Sequence, residues 1–217
     1  MCFSANASFG VSALLLAGGV ASVKSVKLNN SIFFAIIPFI FSVQQFLEGM
    51  LWLSFSNTHF LNWRTFSEYT FLVFAQVLWP IWVPLSILQL EKNQVKKKLL
   101  SGLLGLGIIV AFYIAYCLIV SPVNTIISNH HISYEVNYPH NTSFMIGILY
   151  FLPTIVPPFI SSLKKMKLLG LGILLSFIIS KIFFKDYVVS VWCFFAAIIS
   201  IIVYIIMKDY SAKKVYQ

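Results

Sequence analysis

Charge is scarce in this chain, and negative charge scarcer still. Only 10% of its 217 residues are charged, and six of them are acidic. Hydrophobic residues make up 59% and the mean hydropathy is +0.90, which leaves too little polar surface to solvate a globule of 24.6 kDa. A soluble fold is excluded on that ground. Cysteine is also rare. Cys2, Cys117 and Cys193 are too few and too scattered for a disulfide framework or a zinc ribbon. No internal repeat is recognisable, which argues against an inverted-repeat transporter.

What the chain has instead is long apolar runs. A bilayer core about 30 Å thick needs roughly 20 helical residues at about 1.5 Å each. Stretches approaching or exceeding that length run from Ser8 to Val23, Ser31 to Phe55, Glu68 to Leu90, Leu99 to Val120, Ser143 to Ser162, Leu168 to Phe184 and Tyr187 to Met207. The first is read as a transmembrane helix, since it lacks the basic leader and cleavage site of a signal peptide. The expected fold is therefore all-α: one polytopic transmembrane bundle of seven helices over residues 1–217.

The net charge of +9 would suit nucleic acid if it were clustered on a soluble face, but the basic residues sort by membrane side instead. With the N-terminus outside, Lys24, Lys27, Lys92, Lys96, Lys97, Lys98, Lys164, Lys165, Lys167, Lys208, Lys213 and Lys214 fall in the cytoplasm. Arg64, Lys181 and Lys185 remain on the other side. The positive-inside rule thus predicts an outside N-terminus, a cytoplasmic C-terminus with a short basic tail over 208–217, and attraction of the lysines to anionic lipid headgroups. The long polar connection at 121–142 is then an outer loop.

Small residues at four-residue spacing predict close helix packing at Ala13, Ala17 and Ala21 in the first span and at Gly172, Ser176 and Ser180 in the sixth. Pro38, Pro80, Pro84, Pro153, Pro157 and Pro158 lie inside spans, where each removes a backbone donor and favours a kink.

Glu48, in FSVQQFLEGMLWL, is the sole acidic residue well inside a span. It lies roughly 26 Å along the second helix from Ser31. An intramembrane carboxylate costs about 2.5 to 3.5 kcal/mol on insertion scales, so it is expected to face the bundle interior. Gln44, Gln45 and Trp52 share its polar stripe, and Gln76, Trp79 and Trp192 fall at a similar depth in other spans. These seven residues are the candidate ligand-binding set. Aromatic walls around one carboxylate suit a small cationic or amphiphilic ligand, whether sensed or transported.

Two alternatives follow from other features. Cys2, His130, His131 and Glu48 have suitable chemistry for a zinc site, and with it an intramembrane lipid hydrolase, although adjacent histidines have no diagnostic spacing. Cys2 made N-terminal by loss of Met1 would be a nucleophile with its own amine as base. A fully packed bundle serving only assembly is the other alternative. No cofactor is specified by the sequence.

The segments MCFSANASF, PFIFSVQQFLEGMLWL, WPIWVPL and VSVWCFFAA resemble a family of small bacterial seven-helix membrane proteins of unknown function that begin MCFSA. The resemblance implies a bacterial inner-membrane protein and carries no activity or residue roles. Microbial rhodopsins are a poor match, because Tyr187 to Met207 contains no lysine for a retinal Schiff base. The ceramidase and adiponectin-receptor hydrolases match only in helix count, since every histidine here lies in a loop.

Overall fold

A computed structural model describes residues 4–27, 29–128, 130–136 and 143–213. Its helices are α1 (Ala5–Lys24), α2 (Ile32–Ser56), α3 (Thr58–Leu90), α4 (Gln94–Val120), α5 (Phe144–Ile160), α6 (Met166–Phe183) and α7 (Lys185–Ala212). All but α5 are long and apolar enough to cross a membrane, the architecture of a multi-pass membrane protein. Local chemistry sets several ends. The Ser4 hydroxyl accepts from the N–H of Ala7 to start α1, and the Asn93 side chain accepts from Val95 and Lys96 to start α4.

The most buried span, α2, is packed along α1 by small residues. Ser12 and Ser42 each donate a hydroxyl hydrogen bond of 2.8 Å to the other's backbone carbonyl. A Cβ on Gly19 would meet the Phe39 backbone nitrogen at 2.9 Å, and one on Gly49 would meet the Phe9 ring at 2.7 Å. The α1 face that packs is therefore Ser8, Ser12, Leu15, Gly19 and Ser22. That corrects the alanine stripe: Ala13 and Ala17 are exposed and Ala21 is half-buried. In α6 the expectation matches the structure, with Ser176 and Ser180 buried and Gly172 close against Ile199 of α7.

Two of the expected proline sites carry breaks, whereas Pro84 and Pro153 lie within continuous helix. A break at Ile36 precedes Pro38, and the Trp82 indole donates to the Phe33 carbonyl at 2.9 Å beside it. A bend at Val156 precedes Pro157 and Pro158.

The connection between α4 and α5 holds structure that the polar composition concealed. Val123–Ser128 (β1) and His131–Val136 (β2) form an antiparallel hairpin in which Ser128 pairs with His131, and His130 takes φ 59°. The hairpin lies over one end of the bundle. Ile132 is fully buried beside Leu51 and Trp52, Tyr134 stacks on Phe71 at 4.8 Å, and Thr125 donates to the Glu68 carboxylate. The Ser133 hydroxyl donates to the Asp186 carbonyl at 2.9 Å.

At the opposite, lysine-rich end, Glu91 ties two connections together. One carboxylate oxygen accepts from the N–H groups of Lys92 and Asn93 at 2.9 and 3.0 Å, and the other accepts from Ser162 at 2.7 Å. Lys165 pairs with Asp209 of α7 at 2.5 Å, and the Ser211 hydroxyl donates to the Ser25 carbonyl at 2.6 Å. The segment expected as a short basic tail over 208–217 is helical as far as 213 and docked, with 214–217 outside the described residues. These contacts join the α1, α3–α4, α5–α6 and α7 ends.

Burial acts to raise the Glu91 carboxyl, but the N–H bonds from Asn93, Ser162 and Lys92 outweigh it and hold the group below the ordinary glutamate value of 4.5. A depressed folded value means that the carboxylate stabilises the fold above the ordinary value and that this contribution is lost as pH falls below it. Glu91→Gln is expected to cost about 1 to 3 kcal/mol near neutral pH, because an amide accepts through one atom only. It should also flatten the loss of thermal stability on acidification. Thermal unfolding of both proteins across the acid range measures this, and parallel pH curves would count against it.

Candidate functional site

The site begins with a backbone irregularity in α3. Val73–Leu78 forms a π-helical turn, directly before Trp79 and Pro80. In that bonding pattern the Ala75 carbonyl would take the N–H five residues on, and Pro80 has none. The Tyr150 hydroxyl of α5 supplies the missing bond, donating to the Ala75 carbonyl at 2.6 Å. The turn thus leaves a backbone acceptor facing α5.

Two cavities flank this point. The larger, about 470 Å³, lies among α3, α4, α5, α6 and α7. Its wall is mostly aromatic and aliphatic, from Ile114, Phe144, Ile146, Phe151, Phe177, Val188 and Val189, with Gln76 and Lys181 as polar members. Lys181 is the charged residue of that wall, and it is exposed near the hairpin end of α6. The smaller cavity, about 60 Å³, lies among α2, α3, α5, α6 and α7 and includes Phe34, Phe41, Trp79, Ser86, Thr154, Leu169 and Ser200. Its hydroxyls are turned back onto their own helices: Ser86 to Val83, Thr154 to Tyr150 and Ser200 to Ala197. What remains toward the space is apolar.

Tyr150, Trp192 and Cys193 line both cavities and so form the partition between them. Trp192 meets Tyr150 edge-on at 6.0 Å and Phe177 at 5.0 Å. Its indole N–H is buried and has no hydrogen-bond partner within the protein.

Glu48 occupies a different place. It is fully buried, and the Ser190 hydroxyl of α7 donates to its Oε1 at 2.5 Å. Gln44, also fully buried, accepts from the Trp79 indole N–H at 3.0 Å, and Trp79 stacks on Phe41 at 4.0 Å. Cys193 lies beside both Glu48 and Gln44. Together these bonds tie α2 to α3 and α7. Gln45 is fully buried with neither side-chain amide atom bonded, and the Trp52 indole N–H is likewise unpartnered.

The expected ligand set is therefore divided by the fold. Gln76 and Trp192 line the larger cavity, and Trp79 and Trp192 the smaller. Glu48, Gln44, Gln45 and Trp52 line neither. Lys181 and Tyr150 were not singled out as site residues. The signal for Lys181 was present, as an exception to the charge sorting within an apolar span; that for Tyr150 was not, because its role follows from a π turn in another helix.

The zinc candidates are not brought into one cluster among the described residues. Cys2 lies outside the described residues, His130 is exposed in the hairpin turn, and His131 packs against Phe184 and Tyr187 at 5.3 and 4.8 Å. Among the described residues, no group of three or more His, Cys, Asp or Glu is arranged to hold a metal ion.

A family model described as a family of unknown function (DUF6629) matches residues 1–216. The chain belongs to that family. Membership in DUF6629 covers the whole bundle and assigns no activity to any part of it. No curated protein and no solved structure matches the chain.

Proposed function

We propose that this DUF6629 protein is a seven-span protein of the bacterial inner membrane that binds an anionic amphiphile in the larger cavity. Its N-terminus lies outside and its C-terminus in the cytoplasm, where the lysine-rich end meets anionic headgroups. The sorting of lysines supports this orientation, as does the joining of the α3–α4 and α5–α6 connections through Glu91. With α5 crossing, the hairpin and Lys181 belong to the outer half.

The observation that carries the binding reading is the cavity of about 470 Å³, with apolar walls and Lys181 as its charged member. Ligand sites are commonly of this size, mostly apolar, with a few polar groups that orient the ligand. The sign of the ligand follows from the sign of the wall. A cationic ligand was expected from Glu48, but that carboxylate engages Ser190 and lines neither cavity. A lysine at the rim selects phosphate or carboxylate instead. In this reading Glu48 is an interhelical tie.

The test is binding by the full chain in a neutral detergent, followed by native mass spectrometry, with oleate, oleoyl lysophosphatidylglycerol and oleoyl lysophosphatidylcholine as probes. The two anionic lipids should bind more tightly than the zwitterionic one. Lys181→Gln should weaken anionic binding about fivefold, the scale of one partly exposed charge contact, and weaken the zwitterionic lipid less, because its choline already offsets the phosphate charge. Equal binding of all three probes, unchanged by the substitution, would sink the reading.

A further inference from the structure

Resting on that reading of the larger cavity, we infer that it opens sideways, between α5 and α6, into the leaflet on the hairpin side. Its occupant is an acyl chain of an anionic lipid already in the membrane, which enters through this mouth and keeps its headgroup at Lys181. Exposure, register and one glycine lead to this.

Exposure locates the mouth. Phe144 and Ile148 of α5 line the space and are 81% and 48% exposed, so the wall they form is open to the outside. Gly147 of α5 and Lys181 of α6 line it and are exposed as well. The far wall is closed, since Ala75 of α3, Ile114 of α4 and Cys193 of α7 are buried. The opening therefore lies on the side of α5 and α6, and α5 packs more extensively on α3 and α4 than on α6. Beside it on α6, Ile178 and Ile182 are exposed too. An exposed apolar rim on spanning helices suits acyl chains rather than water.

Register sets the depth. Residues 161–165 join α5 to α6 at the lysine-rich end, so away from that end the numbering falls along α5 and rises along α6. The Phe151 and Phe177 rings meet edge-on at 5.3 Å. Gly147 lies one turn beyond Phe151, and Lys181 one turn beyond Phe177, each about 6 Å farther along its helix and on the same face. The ring pair joins the two helices at one depth, and one turn farther out the two sides of the seam carry a glycine and a lysine. A chain entering there leaves an anionic headgroup beside the lysine, at the hairpin end.

The glycine keeps the mouth wide. Glycine inside a helix costs entropy relative to alanine, and close packing is the usual compensation. Gly19, Gly49 and Gly107 have that compensation, whereas a Cβ on Gly147 would have nothing within 4 Å. Gly10, Gly18, Gly102 and Gly105 are equally open, but they line neither cavity, and Gly147 does. What its missing side chain preserves is the width of the opening.

The experiment uses the full chain in phosphatidylcholine vesicles containing phosphatidylglycerol with a diazirine near the end of one acyl chain. Irradiation and peptide mass spectrometry should find the lipid attached to Ile114, which is buried in the far wall and is reached only by a chain inside the cavity. The same diazirine carried on phosphatidylcholine should label it about fivefold less, the scale of one partly exposed charge contact. Gly147→Leu and Gly147→Trp should lower the labelling progressively, about tenfold with tryptophan, the scale of an overfilled apolar site. Gly105→Trp, placed on α4 away from both cavities, should label as the wild type does. If the tryptophan variant at 147 does not fold, Gly147→Leu carries the comparison. Labelling that survives both changes at Gly147, or that Gly105→Trp lowers equally, would overturn the lateral mouth. So would binding of oleoyl lysophosphatidylglycerol in detergent with no labelling of Ile114 in vesicles, because the cavity would then fill from elsewhere. Equal labelling by the two lipids would refute the headgroup placement. If wild-type protein neither binds the lysolipid in detergent nor is labelled in vesicles, the cavity reading itself fails, a distinct result.

Discussion

Gly107→Ala should cost about 3 kcal/mol or more, whereas Gly105→Ala, two residues away, should be neutral or stabilising by up to about 1 kcal/mol. The two changes add the same methyl group to the same helix. Around Gly105 there is nothing within 4 Å of the new atom. At Gly107 that atom would overlap the Pro80 carbonyl oxygen and lie 2.8 Å from the Pro80 carbonyl carbon and 3.3 Å from the Pro153 side chain. Side chains yield by changing rotamer, but a backbone oxygen moves only with its helix. Here the carbonyl belongs to a proline that follows the π turn, with φ already set by its ring. The helices must separate, and in lipid no hydrophobic effect draws them together again; close packing is the main attraction. Overpacking in cores usually costs about 1 to 3 kcal/mol, and a clash with fixed backbone belongs at or above the top of that range. Thermal unfolding in detergent of both variants measures the difference. Similar melting temperatures for the pair would show that α3 and α4 are not this close.

Trp79→Ala should destabilise the protein by about 4 kcal/mol, with Trp79→Phe losing only about 1 kcal/mol. Trp79 is 5% exposed, stacks on Phe41 at 4.0 Å and donates to Gln44 at 3.0 Å. Truncating a buried large aromatic to alanine typically costs about 3 to 5 kcal/mol, because the space it leaves collapses only partly. The alanine variant also leaves the Gln44 oxygen without its donor in a fully buried position. Phenylalanine keeps a ring against Phe41 and loses the donor to Gln44 with only part of the buried volume. Chemical unfolding of the three proteins in the same detergent gives the comparison. Equal losses for alanine and phenylalanine would mean that the hydrogen bond, rather than the stacked ring, sets the stability there.

The order of these effects reflects where the fold has room to adjust. Gly107 meets a backbone atom, Trp79 meets side chains, and Lys181 stands at an exposed rim. The two buried sites carry the large costs and the exposed rim the small one, because only the rim is free to move.

The helices were readable because spanning a bilayer requires a long apolar run, and such a run is a property of the sequence itself. Every expected span corresponds to a helix, with ends shifted by a few residues and the third helix starting earlier, at Thr58. The hairpin was not readable as such. VNTIIS and HISYEV are short, lie in a polar stretch and alternate only partly, so they acquire strand character by pairing with each other and covering Leu51, Trp52 and Phe71. The alanine stripe of α1 failed for a related reason. Small residues permit close approach on any face, and the face that packs is the one where Ser12 finds Ser42 and Gly19 finds Phe39.

The candidate site divides along the same line. That Glu48 is buried was legible, since an ionisable group in an apolar span has few places to go. That its oxygen takes the Ser190 hydroxyl, a partner 142 residues away, was not. Nor was the meeting of Lys181, Trp192 and Tyr150 around a cavity.

Composition and order alone established a chain that partitions into lipid, how many apolar helices it has and which connections are basic, because those properties depend on transfer energies summed along each segment. Folding in three dimensions chose which face of each helix packs, which polar groups are consumed as ties and where space is left over. Those outcomes depend on side chains distant in sequence meeting at a few ångströms, and no local pattern encodes such a meeting.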